Sequence, residues 1–167
     1  APPAPEAGAV YAQVADYMGD LVDGYILETM ASVDQARGGL MGVSGRGKPV
    51  WLGITLDDVD GLKLRSGEAV TEILPLVEEF SPDVVLLNCS PPEAVSQAVP
   101  VLVEAGVTVG AYANGFVNIA ASFKTIHSTV DELKTRVDLD PEAYLAHARQ
   151  WVEDGASVVG GCCEIGP

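Results

Sequence analysis

Apolar residues recur at helical spacing over 10–23, through Val10, Val14, Tyr17, Met18, Leu21 and Val22, and predict an amphipathic helix stopped by Gly24. Five short apolar runs come next, at 25–29, 50–56, 84–88, 107–112 and 157–161, each bounded by turn residues. Their hydrophobicity is continuous rather than alternating, which suits parallel strands covered on both faces. Helical patterns fill the gaps. Ser90-Pro91-Pro92-Glu93 reads as a capping box with proline at the first helical position, followed by Val95, Val99, Leu102 and Val103 and a stop at Gly106. Asp140-Pro141 opens another helix through Tyr144, Ala148, Trp151 and Val152, ended by Gly155. Helical spacing over 67–80 contains Pro75, which is expected to kink it. The order α-βα-βα-βα-β(loop)α-β is a run of right-handed crossovers, so the fold class is α/β with a parallel sheet. Between Ala113 and Asp140 the pattern fades, and Gly115, Lys124, His127 and Thr129 read as part of a long loop or short helix over the strand ends.

Composition narrows the class. A length of 167 residues suits one domain with a sizeable core. Nine Lys and Arg against 24 Asp and Glu leave a charge of −15, the wrong sign for nucleic acid or an anionic membrane. With 48% hydrophobic and 20% charged residues the chain is too apolar for disorder, and its apolar runs are too short to span a membrane. The opening Ala-Pro-Pro-Ala-Pro-Glu-Ala reads as an extended, poorly ordered lead-in over 1–9, ahead of one structured region over 10–167. Ala1 in the first position, rather than Met, leads us to expect a longer parent chain.

Three cysteines cannot all pair within the chain, and no charged-then-apolar leader precedes them, so reduced thiols and a cytoplasmic location are expected. Each thiol comes after a predicted strand: Cys89 after Val-Val-Leu-Leu-Asn, and Cys162-Cys163 after Ser-Val-Val-Gly-Gly. Strands of a parallel sheet share a carboxyl edge, where active sites form. Adjacent residues in a strand point to opposite faces, so Cys162 and Cys163 can share an ion only if the backbone leaves strand geometry, which Gly160-Gly161 permits. On spacing alone three readings stay open: small buried hydrophobes, a vicinal redox pair, or three thiolates on one ion. The last leaves a fourth position free, as in catalytic rather than structural zinc sites. His127 is a possible fourth ligand from its loop, whereas His147 reads as an ordinary residue of a helix.

Gly160-Gly161-Cys162-Cys163, Asn88-Cys89-Ser90, Tyr112-Ala113-Asn114-Gly115, Leu27-Glu28-Thr29 and Gly47-Lys48-Pro49-Val50-Trp51 together resemble the carboxyl-terminal part of the homocysteine S-methyltransferases, over about 10–167. The resemblance implies a TIM-type (β/α)₈ barrel that moves a methyl group to the sulfur of homocysteine and gives methionine. It carries the family's Zn²⁺ ligands onto Cys89, Cys162 and Cys163, and the strand-end glutamate that holds the substrate ammonium onto Glu28. It also places Asn114 near the substrate. A helix-start carboxylate is the plainer reading of Glu28, and turn chemistry before Gly115 that of Asn114.

The chemistry is coherent without the name. A free thiol is mostly protonated at neutral pH, and coordination removes its proton. An ion carrying three cysteine thiolates keeps an added sulfur electron-rich and attracts a cationic methyl donor, a sulfonium or quaternary ammonium compound; with the family resemblance this implies a donor of the S-methylmethionine, S-adenosylmethionine or betaine type.

Five predicted strands fall short of the eight that the family's barrel needs, and only four residues come after Cys163. Bare sheet edges favour pairing with another chain. The expected partners are therefore homocysteine, a small methyl donor, and another chain or a missing N-terminal segment that completes the barrel. The alternative to an enzyme is a noncatalytic fragment or subunit of a split barrel that acts as an interaction module.

Overall fold

The structure, a computed structural model, describes residues 2–119 and 133–166; Lys124, His127 and Thr129 lie outside them. Its described residues form five parallel strands, β1 (Tyr25–Met30), β2 (Val50–Ile54), β3 (Val84–Asn88), β4 (Val109–Tyr112) and β5 (Val158–Val159), in the order β1-β2-β3-β4-β5. Helices α1 (Ala4–Met18), α2 (Val33–Val43), α3 (Leu74–Phe80), α4 (Pro92–Glu104) and α5 (Pro141–Glu153) accompany them. Each strand pairs with the one before it in sequence, so right-handed crossovers place the helices on one face, the winding of a (β/α) barrel rather than of a doubly wound sheet. No helix of the described residues is long and apolar enough to cross a membrane.

The core lies between the sheet and its helices. Leu27, Leu52, Val85 and Leu87 pack against Leu40, Val95, Val99 and Leu102, all fully or nearly fully buried. The opposite face is open, contrary to the expectation of cover on both sides: Ile26 is 53% exposed and Glu28 is exposed, while Trp51, Tyr112 and Val158 are half-buried. Continuous hydrophobicity is what a barrel strand needs, because its second face looks into a lumen instead of onto a helix layer.

α1 departs furthest from its pattern. Residues 4–9 are its first turns rather than an extended lead-in, since Pro3 caps the helix, Pro5 falls in the first turn where its missing N–H is not needed, and Glu6 faces the positive helix end. The apolar stripe is not what α1 buries: Val14, Tyr17 and Leu21 are 49%, 76% and 88% exposed. It packs on α2 through small residues instead, with Ala4, Ala7 and Gly8 buried against Gly38 and Gly42. The stop comes early, at Gly19 with φ +43°, followed by a single 3₁₀ turn over Gly19–Leu21.

The other helices keep closer to their signals. Asp140 caps α5 by accepting from the Ala143 N–H at 2.8 Å, and Gly106 and Gly155 take the left-handed conformation after α4 and α5. The kink expected at Pro75 is absent, because α3 starts at Leu74 after a 3₁₀ turn (Val70–Ile73) and the proline falls in its first turn. The capping box at Ser90 does not form either. Pro91 is the N-cap of α4, without a side-chain cap, and the Ser90 hydroxyl accepts from the Leu56 N–H at 2.8 Å instead.

Close α1–α2 packing yields a test. A Cβ on Gly42 would lie 2.4 Å from the Tyr11 Cβ and 2.8 Å from the Ala12 nitrogen, atoms that cannot yield without moving a helix. Gly42→Ala is expected to destabilise the chain by about 1–3 kcal/mol, the usual cost of overpacking, despite alanine's better helix propensity. A melting temperature at or above that of the parent chain would show that the helices separate freely.

Candidate metal centre

β3 and β5 flank β4, and strands about 4.8 Å apart leave their axes roughly 10 Å from each other. Sulfurs from their ends meet only if both backbones turn inward. Cys89 does so by adopting φ +52°, a left-handed conformation unusual for a residue with a side chain. The chain after β5 crosses the end of β4: the Cys162 N–H donates to the Ala113 carbonyl at 3.0 Å, and the Gly115 N–H donates to the Cys163 carbonyl at 2.8 Å. A turn then brings Ile165 back, its N–H donating to the Cys162 carbonyl at 3.1 Å. Of the two glycines, Gly161 is sterically required there, because a Cβ would sit 2.5 Å from the Ile165 Cγ2.

The Sγ atoms of Cys89, Cys162 and Cys163 all lie within 4.8 Å of one another, and those of Cys162 and Cys163 are 3.8 Å apart. A tetrahedral ion with metal–sulfur bonds of about 2.3 Å separates its sulfurs by about 3.8 Å, so the three thiols can hold one metal ion. All three are free; Cys89 and Cys162 are half-buried and Cys163 is exposed, which leaves access from outside.

Polar side chains fix this edge from below. Asn88, buried at the end of β3, accepts from the Thr29 N–H through Oδ1 at 3.2 Å and donates from Nδ2 to the Thr29 hydroxyl at 3.0 Å. Those bonds hold the irregular end of β1, where Thr29 has φ +62° and the pairing shifts register, and they re-aim Glu28. Glu28 accepts from the Tyr112 hydroxyl at 3.2 Å. Burial, helped by the Glu28 carboxylate, raises the Tyr112 phenol, so it stays a donor. Tyr144 reaches from α5 to donate to the Gly160 carbonyl at 2.6 Å and accept from the Ala113 N–H at 3.0 Å. Burial pushes its phenol to about 12.

Glu28 thus belongs to the same edge as the thiols, on the open face, and is not a helix-start carboxylate. Asn114 is buried in a turn: its Oδ1 accepts from the Phe116 N–H at 3.2 Å and its Nδ2 has no partner among the described residues. His147 is half-buried and stacks on Trp151, 6.0 Å between ring centroids. Thr29, Asn88, Tyr112 and Tyr144 are the residues that pattern reading left without a task. The first three stand inside the family-like motifs, which was the available signal; Tyr144 counted only as an apolar helix position.

The three thiols do not share protons equally. A hydrogen bond from Cys162 holds Cys89 below the ordinary thiol range, with the Thr29 hydroxyl adding to the effect against the cost of burial. Cys162 is pushed up by that same bond and by burial, and Cys163 by burial and its neighbour.

The family model for the homocysteine S-methyltransferases matches residues 4–167. A 120-residue stretch is 28% identical to a selenocysteine methyltransferase of Astragalus bisulcatus, covering 71% of this chain and 33% of that protein. The apo form of a homocysteine methyltransferase from Escherichia coli is similar with a TM-score of 0.70 at 18% identity, over 99% of this chain and 54% of that one. Its metallated form gives 0.66 at 17% identity, over 95% and 48%. The fold is therefore that of a partial barrel, and the chain spans between a third and about half of the length of these relatives.

Metal uptake should depend on pH in a stated direction. An ion entering the trio displaces the protons of Cys162 and Cys163, so its apparent affinity should rise from about pH 6 to about pH 8, with proton release on binding. Competition against a chromophoric chelator measures this, and an affinity flat across that range would show that the thiols are not the ligands.

Proposed function

The chain belongs to the homocysteine S-methyltransferase family, and we infer that it is the metal-bearing part of an enzyme that methylates the sulfur of homocysteine to give methionine. The observation that carries this reading is the convergence of three sulfurs within 4.8 Å at the carboxyl edge of a parallel sheet, beside Glu28. Cys89, Cys162 and Cys163 are the proposed ligands, and zinc is the ion that an all-thiolate tetrahedral set with one open position suits best. When bound, zinc lowers the pKa of an incoming thiol so that the substrate sulfur attacks as a thiolate.

The chain's own residues do the rest. Glu28, oriented by the Tyr112 hydroxyl, accepts the ammonium group of the amino-acid substrate. Asn114 offers the Nδ2 donor that its turn leaves unused. Three thiolates on one divalent ion keep the centre anionic, which favours a cationic methyl donor such as S-methylmethionine, S-adenosylmethionine or betaine. Reduced thiols at an open edge suit a reducing compartment, and the cytoplasm is the proposed location.

A segment of the parent protein, or a second chain, is proposed to complete the barrel. The uncovered stripe of α1, the free edge of β1 at Ile26 and the groove between them, lined by Tyr11, Val14, Met18 and Tyr25, form one apolar surface. An exposed apolar surface of this kind marks an interface. Single Val14→Glu and Leu21→Glu substitutions should change the stability of this chain by no more than about 0.5 kcal/mol, as for other surface positions. Both should abolish association with the completing segment in analytical ultracentrifugation. Equal association by parent and variants would place the contact elsewhere.

Methionine formation is the direct test. The zinc-loaded chain, joined to a completing amino-terminal half of the barrel, should methylate homocysteine from at least one of the three donors. Activity should fall at least about 10²-fold on Cys89→Ser, which removes a ligand. Methylation of selenocysteine but not homocysteine would move the acceptor to a selenol. Full zinc uptake without any methyl transfer would favour a noncatalytic barrel subunit, the reading that the open α1 face supports by itself.

A further inference from the structure

Arg65 lies in the loop between β2 and α3, its side chain only 13% exposed, and methyl transfer gives it no task. Its Nη2 donates to the Cys89 carbonyl at 3.1 Å and to the Thr55 hydroxyl at 3.2 Å, and pairs with the Asp58 Oδ1 at 2.9 Å; its Nε donates to the same Thr55 hydroxyl at 3.3 Å. The Thr55 hydroxyl in turn donates to the Cys89 carbonyl at 3.1 Å. Asp58, equally sheltered at 14% exposure, accepts the Ile119 N–H through Oδ2 at 2.6 Å. Two donors therefore converge on one carbonyl oxygen, and that oxygen belongs to the residue whose φ of +52° turns its sulfur inward.

A left-handed residue with a side chain relaxes toward the ordinary regions unless neighbours over-determine it. Relaxation at Cys89 would rotate its carbonyl away from both donors and swing its Cβ off the direction of β5. A sheltered guanidinium is costly unless its planar fork is used, and here the fork is spent on that carbonyl, on the hydroxyl that shares it and on Asp58. We propose that Arg65 is a positioning residue: with Thr55 it clamps the Cys89 carbonyl, so that Cys89 stays left-handed and its Sγ stays turned toward Cys162 and Cys163 before any metal arrives. The proposal rests on the metal reading only where cobalt is the probe. Nothing in the local pattern marks Arg65, because its loop carries neither helical nor strand periodicity.

The experiment separates this role from plain bracing of the loop. In the full chain, Asp58→Asn with Arg65→Met removes the clamp without leaving a carboxylate unpaired. Arg65→Lys keeps the charge but loses the fork. Cobalt(II) titration reads affinity and, from the intensity of the sulfur-to-cobalt absorption, the number of sulfurs bound. In a Cys163→Ser background, bridging of Cys89 to Cys162 by dibromobimane, fluorescent once both of its ends have reacted with thiols, reads their convergence without metal. The double substitution should lower cobalt affinity and bridging rate by about 10–100-fold, the usual range for residues that orient metal ligands, and reduce the absorption of the complex. Arg65→Lys should recover part of both. A double variant that melts earlier yet binds cobalt and bridges as the parent does would overturn the proposal. If that variant does not fold, Arg65→Lys decides, and parental bridging in it has the same force. A parent chain that binds no cobalt would sink the metal reading alone, with the bridging rates still deciding the clamp.

Discussion

Sulfur atoms from two strands that are not neighbours have to meet over the end of the strand between them, and the carboxyl edge of this protein is organised around that demand. Parallel pairing keeps β3 and β5 a full strand apart, so the convergence cannot come from the sheet and has to come from the segments that leave its carboxyl edge. On one side a single residue, Cys89, is held left-handed; on the other the backbone leaves strand geometry at the paired glycines and is tied to β4 through Ala113 and Gly115. Each deviation costs conformational free energy, and each is held by polar groups from elsewhere in the fold: Thr55 and Arg65 at the Cys89 carbonyl, Tyr144 at the Gly160 carbonyl.

These supports come from different elements of the fold, which explains why a small edge can hold several unusual backbone conformations together. Asn88 shows the economy of the arrangement. Its side chain fits because Gly53 leaves room, a Cβ there lying 3.2 Å from the Asn88 Oδ1, and with that room it closes the bulge that presents Glu28. The bulge that carries the carboxylate is thus held by one buried amide from the strand that leads into Cys89. What differentiates the three sulfurs is hydrogen bonding, burial and their effect on one another rather than the acidity of the chain as a whole.

The uneven surface has the same origin as the site. Singly wound order gives a sheet one packed face and one that looks into a lumen, and the lumen face, with the edge of β1 and the stripe of α1, stays open in this chain. Chemistry at the carboxyl edge and association at the β1 edge are therefore two consequences of one topology.

Local pattern located the strands well, β3 to the residue, because continuous apolar runs between turn residues have few other uses. It placed the thiols at strand ends, and the glycines, Asp140 and Pro141 punctuated the helices as their backbone preferences require. It misassigned α1 and Ser90 for one shared reason: an apolar stripe or a capping serine states what a residue is able to do, while the partner it takes is settled by what lies across the fold. Gly38 and Gly42 drew in the small face of α1, and the Leu56 N–H took the Ser90 hydroxyl. By itself the sequence determined the element order, the fold class and which three sulfurs were candidates. Only the tertiary structure decided that they meet, because their meeting depends on a positive φ at Cys89 and on bonds from Thr55, Arg65 and Tyr144, and interactions between residues so far apart in the chain leave no periodic trace in it.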